Sequence, residues 1–399
     1  MNATASSINP PPLIISGYSS QPLAEQIASA LGSRTVKVTH RQYDDEETET
    51  TIQENVRGRK IAVVASAAGA PDKQISETRS LMRDVAHAGA AHIMLLLPYM
   101  FYGRSDKNLS MRRSPKLFQV IEDLRAGCDS AVVCDPHNHE VTYAKFNDSG
   151  GRAQHCVIAH FAFPYAAQLQ SLMQTTAIDH KNLVFAHADA GSGKRIDPSF
   201  RECMYDMLGF TGRNPDQDDW AQGLKDRDKK TNKSRIKGFS GGIKGKHVVI
   251  FEDMISSGGT ACDLAALLKQ KGAHSTILFA TSGLFTTKRF EEPETRAIER
   301  INTSRLDAVF ITDTYDFRNT RPPLADAIEQ SPIIHSIETA PYLALILHAM
   351  HIEAHEPATN ENSVSAILRG KHPAQLEPGQ TIAQPTPLKP GNPLLRFQR

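Results

Sequence analysis

The 399-residue chain has no excess of charge of either sign: 45 lysines and arginines stand against 44 aspartates and glutamates. No global field therefore draws it to nucleic acid or to an anionic membrane, and cations that meet a phosphate must be local. Long apolar runs are missing as well. No stretch reaches the roughly 18 apolar residues of a membrane span, and the polar start MNATASSINPPP lacks the charged and apolar regions of a secretory signal. The five cysteines, at 128, 134, 156, 203 and 262, have no metal-binding spacing, and their odd number reads as reduced thiols of a cytoplasmic protein. These absences leave a soluble α/β chain, long enough for two domains with a sizeable core in each.

What is present centres on residues 246–273, KHVVIFEDMISSGGTACDLAALLKQKGA. The apolar, β-branched run 248–251 reads as a buried parallel strand. Glu252 and Asp253 stand where that strand is expected to end. A small-residue loop follows (Ser256, Ser257, Gly258, Gly259, Thr260), and Leu264, Leu267 and Leu268 then recur at helical spacing up to a stop at Gly272. Glycines let the backbone approach a phosphate, and the N–H groups of a helix start point at it with a favourable dipole. The hydroxyls add donors, and the two carboxylates are acceptors suited to vicinal ribose hydroxyls. A glycine loop alone is as often a plain turn; the acidic pair beside it favours a sugar phosphate. The stretch resembles the phosphoribosyl-pyrophosphate loop of type I phosphoribosyltransferase-like proteins.

Around that stretch the chain alternates strands and helices. Strands are predicted at 13–16, 37–40, 61–65, 93–97 and 131–134, then at 183–186, 275–279, 308–312 and 333–336. Helical spacing separates most of them. The acidic cluster 43–49 reads as a solvated turn. Residues 98–118 join three aromatics to Arg104, Asp106, Lys107, Arg112, Arg113 and Lys116, a mixture suited to a flat base and a polyphosphate. Of DPHNHE at 135–140, His137 or His139 is a candidate for a hydrated divalent ion. The loop HADAGSGKR at 187–195 forms a candidate anion nest, without the spacer of a Walker A loop. Residues 141–160 read as irregular. The cation-rich 213–245 reads as a mobile loop able to close over a phosphoryl donor. Four parts follow: a loose arm over 1–12, domains over 13–163 and 164–370, and a Pro-rich tail over 371–399, expected to be disordered or extended on a neighbour.

Across roughly residues 13–370 the order of segments resembles the ribose-phosphate diphosphokinases (phosphoribosyl-pyrophosphate synthetases). The matching pieces are SGYSSQPLAEQIASALG, YDDEE with ENVRG, FYGRSDK, CDPHNHE, HADAGSGKR, LKDRDKK, FEDMISSGGT and ENSVSAIL. The resemblance implies two tandem phosphoribosyltransferase-like domains, each a mainly parallel sheet with flanking helices. It implies Mg2+-dependent transfer of the β,γ-diphosphoryl group of ATP to the anomeric hydroxyl of ribose 5-phosphate. Tyr43, Asp45 and Glu47 fall on the adenine contacts, supplied by a neighbouring subunit, so a dimer or hexamer is implied. Arg104 falls on the ATP-phosphate arginine, with Asp106 and Lys107 in the same ATP segment. His137 and Asp189 fall on the magnesium ligands, and Lys225 and Arg227 on the catalytic lysine and arginine. Glu252 and Asp253 fall on the ribose acids, and Ser256, Ser257, Gly258, Gly259 and Thr260 on the phosphate cradle, with Asp189 also on the sugar-phosphate side.

Three departures stand out. Ser105 replaces the family's glutamine after Arg104, the segment up to Lys116 is short, and Ser256 replaces an aspartate of the sugar-phosphate loop. They leave open another ribosyl acceptor such as ADP-ribose, or a non-catalytic regulatory homologue.

Overall fold

Runs such as KIAVV, HIMLLL, SAVVC and AVFIT are apolar on both faces, as strands sandwiched between helices must be. The computed structural model describes residues 10–45, 47–66, 70–107, 112, 114–148, 155–187, 196–210, 220–227, 234–240, 242–287, 293–315, 317–318, 320–353, 363–370 and 385–397. They fall into two units. The first comprises Met1–Val133, Glu140–Ile158 and Ala340–Val364, and the second Cys134–His139, Ala159–Thr339 and Ser365–Arg399.

The first seven strands are β1 (Leu13–Ser16), β2 (Val38–Gln42), β3 (Thr48–Ile52), β4 (Lys60–Val64), β5 (His92–Leu97), β6 (Ser130–Cys134) and β7 (His155–Ala159). One sheet has the order β1-β4-β5-β6-β7, with β1–β4, β4–β5 and β5–β6 parallel. The strands β2 and β3 form a separate antiparallel ribbon. Helices Pro71–His87 and Lys116–Arg125 send Leu81, Met82, Val85, Leu117, Ile121 and Leu124 into one core with the sheet.

The remaining strands are β8 (Leu183–His187), β9 (Ala221–Arg227), β10 (Ser234–Ser240), β11 (His247–Ile255), β12 (Ser275–Gly283), β13 (Ala308–Thr312) and β14 (Ile334–Ile337). They form one sheet in the order β10-β9-β8-β11-β12-β13-β14, parallel except for the β9–β10 pair at its edge. The core order β8-β11-β12-β13-β14 repeats β1-β4-β5-β6-β7, with a polar hairpin following the first strand in each unit. Mainly parallel α/β architecture is the class predicted from sequence.

Several local expectations give way. The strand predicted to stop at residue 251 runs on through Glu252 and Asp253 to Ile255, because β12 pairs with it along that length. Residues 141–160, read as irregular, contain most of helix His139–Phe146 and β7. Part of the 213–245 loop is the β9–β10 hairpin. Residues 385–397, expected loose or on a neighbour, pack within the second unit of this chain. Leu394 is buried there, Arg396 pairs with Asp307 at 2.7 Å, and Asn392 Nδ2 lies 2.9 Å from His335 Nε2. No helix among the described residues is long and apolar enough to cross a membrane.

Candidate active site

In open parallel sheets ligands gather at the carboxyl ends of the strands, where loops lead into helices. In the second unit that end of β11 carries the sugar-phosphate candidates. Gly258 adopts φ +74°, a left-handed conformation that costs glycine little, and a Cβ there would lie 3.0 Å from Ile301 Cγ1. That residue caps helix Gly259–Gln270, whose start has no side-chain cap, so its first N–H groups are left for an anion. Ser257 and Thr260 are exposed and Gly259 half-buried. Ser256 is tied back: its Oγ lies 2.6 Å from Thr286 Oγ1, and its carbonyl accepts from the Thr286 N–H at 3.1 Å. Arg300 Nη1 donates to the Ser257 carbonyl at 2.6 Å and fixes the loop from behind.

The two acids part company. Neighbours on a strand face opposite sides of the sheet. Glu252 is half-buried, whereas Asp253 is 5% exposed and its Oδ2 lies 2.7 Å from His137 Nδ1. Both Asp253 and His137 belong to the second unit. With Nδ1–H donating to the carboxylate, the imidazole keeps Nε2 as a lone-pair donor, the arrangement a metal-binding histidine usually has. His137 is 35% exposed along its side chain, so that nitrogen has access. Two residues away, His139 Nε2 lies 3.1 Å from Asp135 Oδ1, and Thr281 Oγ1 donates to Asp135 Oδ2. Tyr165 Oη is 2.9 Å from Thr281 Oγ1, and burial, with Asp135 nearby, pushes its phenol well above the ordinary range.

Sequence reasoning named His137 and His139 but missed Asp135, Thr281 and Tyr165 as site residues. One signal was available: ATSG puts a threonine at the carboxyl end of a strand otherwise fit for full burial.

The other candidates lie elsewhere. Lys225 and Arg227 occupy β9, opposite Ile236 and Ser234 of β10. Asp189 lies outside the described residues. In the first unit, Tyr43, Asp45 and Glu47 sit at the β2–β3 turn. The Tyr43 N–H donates to the Glu47 carbonyl at 2.9 Å, and its phenol donates to Glu49 at 2.8 Å. The Glu47 N–H donates to Asp45 Oδ1 at 3.2 Å, and the Arg41 guanidinium lies 4.3 Å from the Tyr43 ring centre. Hydrogen bonding to Glu49 raises the phenol above its ordinary range. After β5, Arg104 and Lys107 are exposed and Asp106 is buried. Ser105, the departure from the expected glutamine, caps the next helix by accepting from the Lys116 N–H at 3.1 Å. Among the described residues no cluster of three or more His, Cys, Asp or Glu could hold a metal unaided.

A mainly parallel sheet whose central strand leads through two acids into a glycine-rich, uncapped helix start defines a phosphoribosyltransferase-type α/β protein. Comparison with known proteins narrows the class. Residues 13–125 match the family described as the N-terminal domain of ribose phosphate pyrophosphokinase. A ribose-phosphate pyrophosphokinase of Xanthomonas campestris pv. campestris is 25% identical over 349 residues, covering 84% of this chain and 93% of its own. One of Buchnera aphidicola subsp. Acyrthosiphon pisum is 26% identical over 359 residues, 89% of this chain and 98% of its own. The crystal structure of phosphoribosylpyrophosphate synthetase from Mycobacterium smegmatis superposes with a TM-score of 0.66 at 22% identity, covering 86% of this chain and 99% of that one. The chain is thus similar over most of its length to the ribose-phosphate pyrophosphokinases and shares the fold of the solved synthetase.

Proposed function

We propose that the protein is a ribose-phosphate diphosphokinase. It transfers the β,γ-diphosphoryl group of ATP to the anomeric hydroxyl of ribose 5-phosphate, giving phosphoribosyl pyrophosphate and AMP. The observation that carries this reading is the loop Ser256–Thr260 at an uncapped helix start, directly behind Glu252 and an Asp253 that holds His137.

In this reading Ser257, Gly258, Gly259 and Thr260 bind the 5-phosphate, while Ser256 braces the loop through Thr286. Glu252 and Asp253 accept hydrogen bonds from the ribose diol, and Asp189 lies on the same side. The sugar is thereby oriented with its anomeric oxygen towards the β-phosphorus. That oxygen attacks, the bond between the β-phosphorus and the α–β bridging oxygen breaks, and AMP leaves with that oxygen. Lys225 and Arg227, on β9, neutralise charge gathering on the transferred group, so catalysis rests on positioning and electrostatics. Tyr43, Asp45 and Glu47 hold adenine from a neighbouring subunit, in a homo-oligomer of at least two chains. Arg104 and Lys107 meet the ATP phosphates, with Asp106 beneath them. His137 and Asp189 would hold Mg2+, which, when bound, neutralises the donor phosphates beside the sugar. The protein works in the cytoplasm, without nucleic acid or membrane.

The test is incubation with ATP, Mg2+ and separate acceptors, reading AMP. Release with ribose 5-phosphate supports the proposal. Release only with ADP-ribose moves the acceptor, and the absence of release with every acceptor tried points to a non-catalytic homologue.

A further inference from the structure

The short turn that carries His137 is gripped at two points by adjacent strands. β11 and β12 run parallel with Phe251 opposite Phe279, Glu252 opposite Ala280 and Met254 opposite Ser282. That register brackets Asp253 against Thr281, and alternation puts both on the sheet face that carries Phe251 and Phe279. Asp253 binds His137 at 2.7 Å, and Thr281 binds Asp135, two residues earlier in the same turn. Two neighbouring side chains of the sheet thus hold two positions of one loop.

The Asp135 end requires holding. Asp135 has φ +38°, outside the conformations that suit a residue with a Cβ, and such a backbone persists only where its surroundings determine it. Its N–H donates to the Ala159 carbonyl at 2.7 Å, one carboxylate oxygen accepts from Thr281, and the other faces His139. Thr281 has a single hydroxyl proton. Since that proton goes to Asp135, the Tyr165 phenol must donate to Thr281, which gives the chain of hydrogen bonds one direction. The phenol is itself fixed, with its ring stacked on Phe251 at 6.0 Å and tilted against Phe279 at 5.1 Å. Thr281 is also the residue at which the β12–β13 register shifts. Its carbonyl takes the Thr312 hydroxyl at 2.5 Å. Such bulges re-aim a side chain.

We propose that Thr281, backed by Tyr165, is a positioning residue: it fixes the 135–139 turn so that His137 remains in register with Asp253. The role rests on the reading of His137 given under the proposed function. His137, Asp253, Thr281, Asp135, His139 and Tyr165 all belong to the second unit.

Three variants test it: Thr281→Val removes the donor at constant shape, Thr281→Ser keeps it, and Tyr165→Phe removes only the phenol. Two readouts are taken, namely uptake of Mn2+ alone, from the electron paramagnetic resonance signal of the free ion, and steady-state AMP formation. Removing groups that orient a metal ligand typically weakens binding or activity by about 10–100-fold. Thr281→Val is expected to weaken Mn2+ uptake about tenfold and lower kcat by at least as much, with KM for ATP within about threefold. Thr281→Ser restores both to within about threefold, and Tyr165→Phe lies between. Mn2+ uptake and kcat in Thr281→Val equal to wild type overturn the proposal. If Thr281→Val fails to fold, the Thr281→Ser and Tyr165→Phe pair decides: equal Mn2+ uptake and kcat in those two overturn it. A wild type that takes up Mn2+ but releases no AMP sinks the proposed reaction, while the Mn2+ series still reads the positioning role. A wild type that takes up no Mn2+ overturns the positioning role, and AMP formation alone then decides the reaction.

Discussion

The two units share a core strand order and differ in what they do with the hydroxyls near the carboxyl ends of their first two core strands. In the first unit the Ser66 N–H donates to Ser20 Oγ at 2.8 Å, and Ser20 Oγ donates back to the Ser66 carbonyl. Ser19 Oγ donates to Gln74 at 2.6 Å. All three serines are buried and bonded within the unit. After β11, by contrast, Ser257 and Thr260 are exposed at a helix start without a cap, behind an acid that grips a histidine. In the first unit these three serines are used in internal bonds, whereas in the second Ser257 and Thr260 face outward. A binding site on this fold lies in the side chains at the strand ends and not in the sheet itself.

Breaking that contrast is most damaging at the hairpins. Lys225→Ala, in the β9–β10 hairpin, is expected to lower kcat by at least about 100-fold, the scale of one transition-state electrostatic contact. Tyr43→Ala, at the β2–β3 turn of the other unit, is expected to raise KM for ATP and change kcat little. Steady-state kinetics of both variants separates the two roles, and a Lys225→Ala variant with wild-type kcat removes that lysine from the reaction.

Glycine substitution sharpens the contrast between loops. Gly258→Ala introduces strain at φ +74° and a contact with Ile301, about 1–3 kcal/mol together, in the phosphate cradle itself. KM for ribose 5-phosphate is expected to rise by about tenfold or more, following the factor of ten per 1.4 kcal/mol. At Gly32 of the first unit, φ is +65° but nothing lies within 4 Å of the added carbon. Gly32→Ala is expected to cost only about 1 kcal/mol, read in urea unfolding, with KM unchanged.

Acid distinguishes the units as a whole. Burial lowers His160, His247 and His335 of the second unit to about 4, from an ordinary 6.5. In the unfolded chain each binds its proton near the ordinary value, so the folded form is favoured above pH 6.5. That stability is lost as pH falls from 6.5 through 4, on the order of 2 kcal/mol per histidine. Burial also lowers His348, in the first unit, and raises Asp313 of the second unit to about 6, which offsets roughly one of the three histidines there. Hydrogen exchange from pH 7 to 4.5 is expected to show amides of the second unit losing protection before those of β4 and β5. The reverse order contradicts this assignment.

The smallest effect concerns the tail. Asp307 is 4% exposed and lies between Lys269 and Arg396, each at 2.7 Å. Arg396→Ala leaves Lys269 in place and is expected to cost about 1 kcal/mol in thermal unfolding, with catalysis unchanged.

Core strands were legible because burial on both faces demands continuous apolar runs: 308–312 is read to the residue, and 93–97 and 131–134 each within one. Of the ribbon β2–β3 only β2 was read, at 37–40 against Val38–Gln42. The strands β3, β9 and β10 were not: TETTI and AQGLKDR lack apolar alternation, so they look like turns and charged loops. The tail was misread for a related reason. Its proline content suggests an unpacked chain, but Leu394, Asn392 and Arg396 fix it through single contacts that no periodicity announces. Within the site, the loop 256–260 was visible as a motif. The pairing of Asp253 with His137, and of Thr281 with Asp135, joins residues 116 and 146 positions apart. Only strand register brings such pairs together.

The most direct test is calorimetric titration of ribose 5-phosphate into the protein with Mg2+ and α,β-methylene ATP, which cannot be cleaved. Wild type is compared with Asp253→Asn and Ser66→Ala. Binding weakened by about tenfold or more in Asp253→Asn and unchanged in Ser66→Ala is the predicted result, given the worth of a hydrogen bond to a charged group. Unchanged binding in Asp253→Asn, or binding lost in Ser66→Ala, would contradict the assignment of the sugar-phosphate site to the second unit.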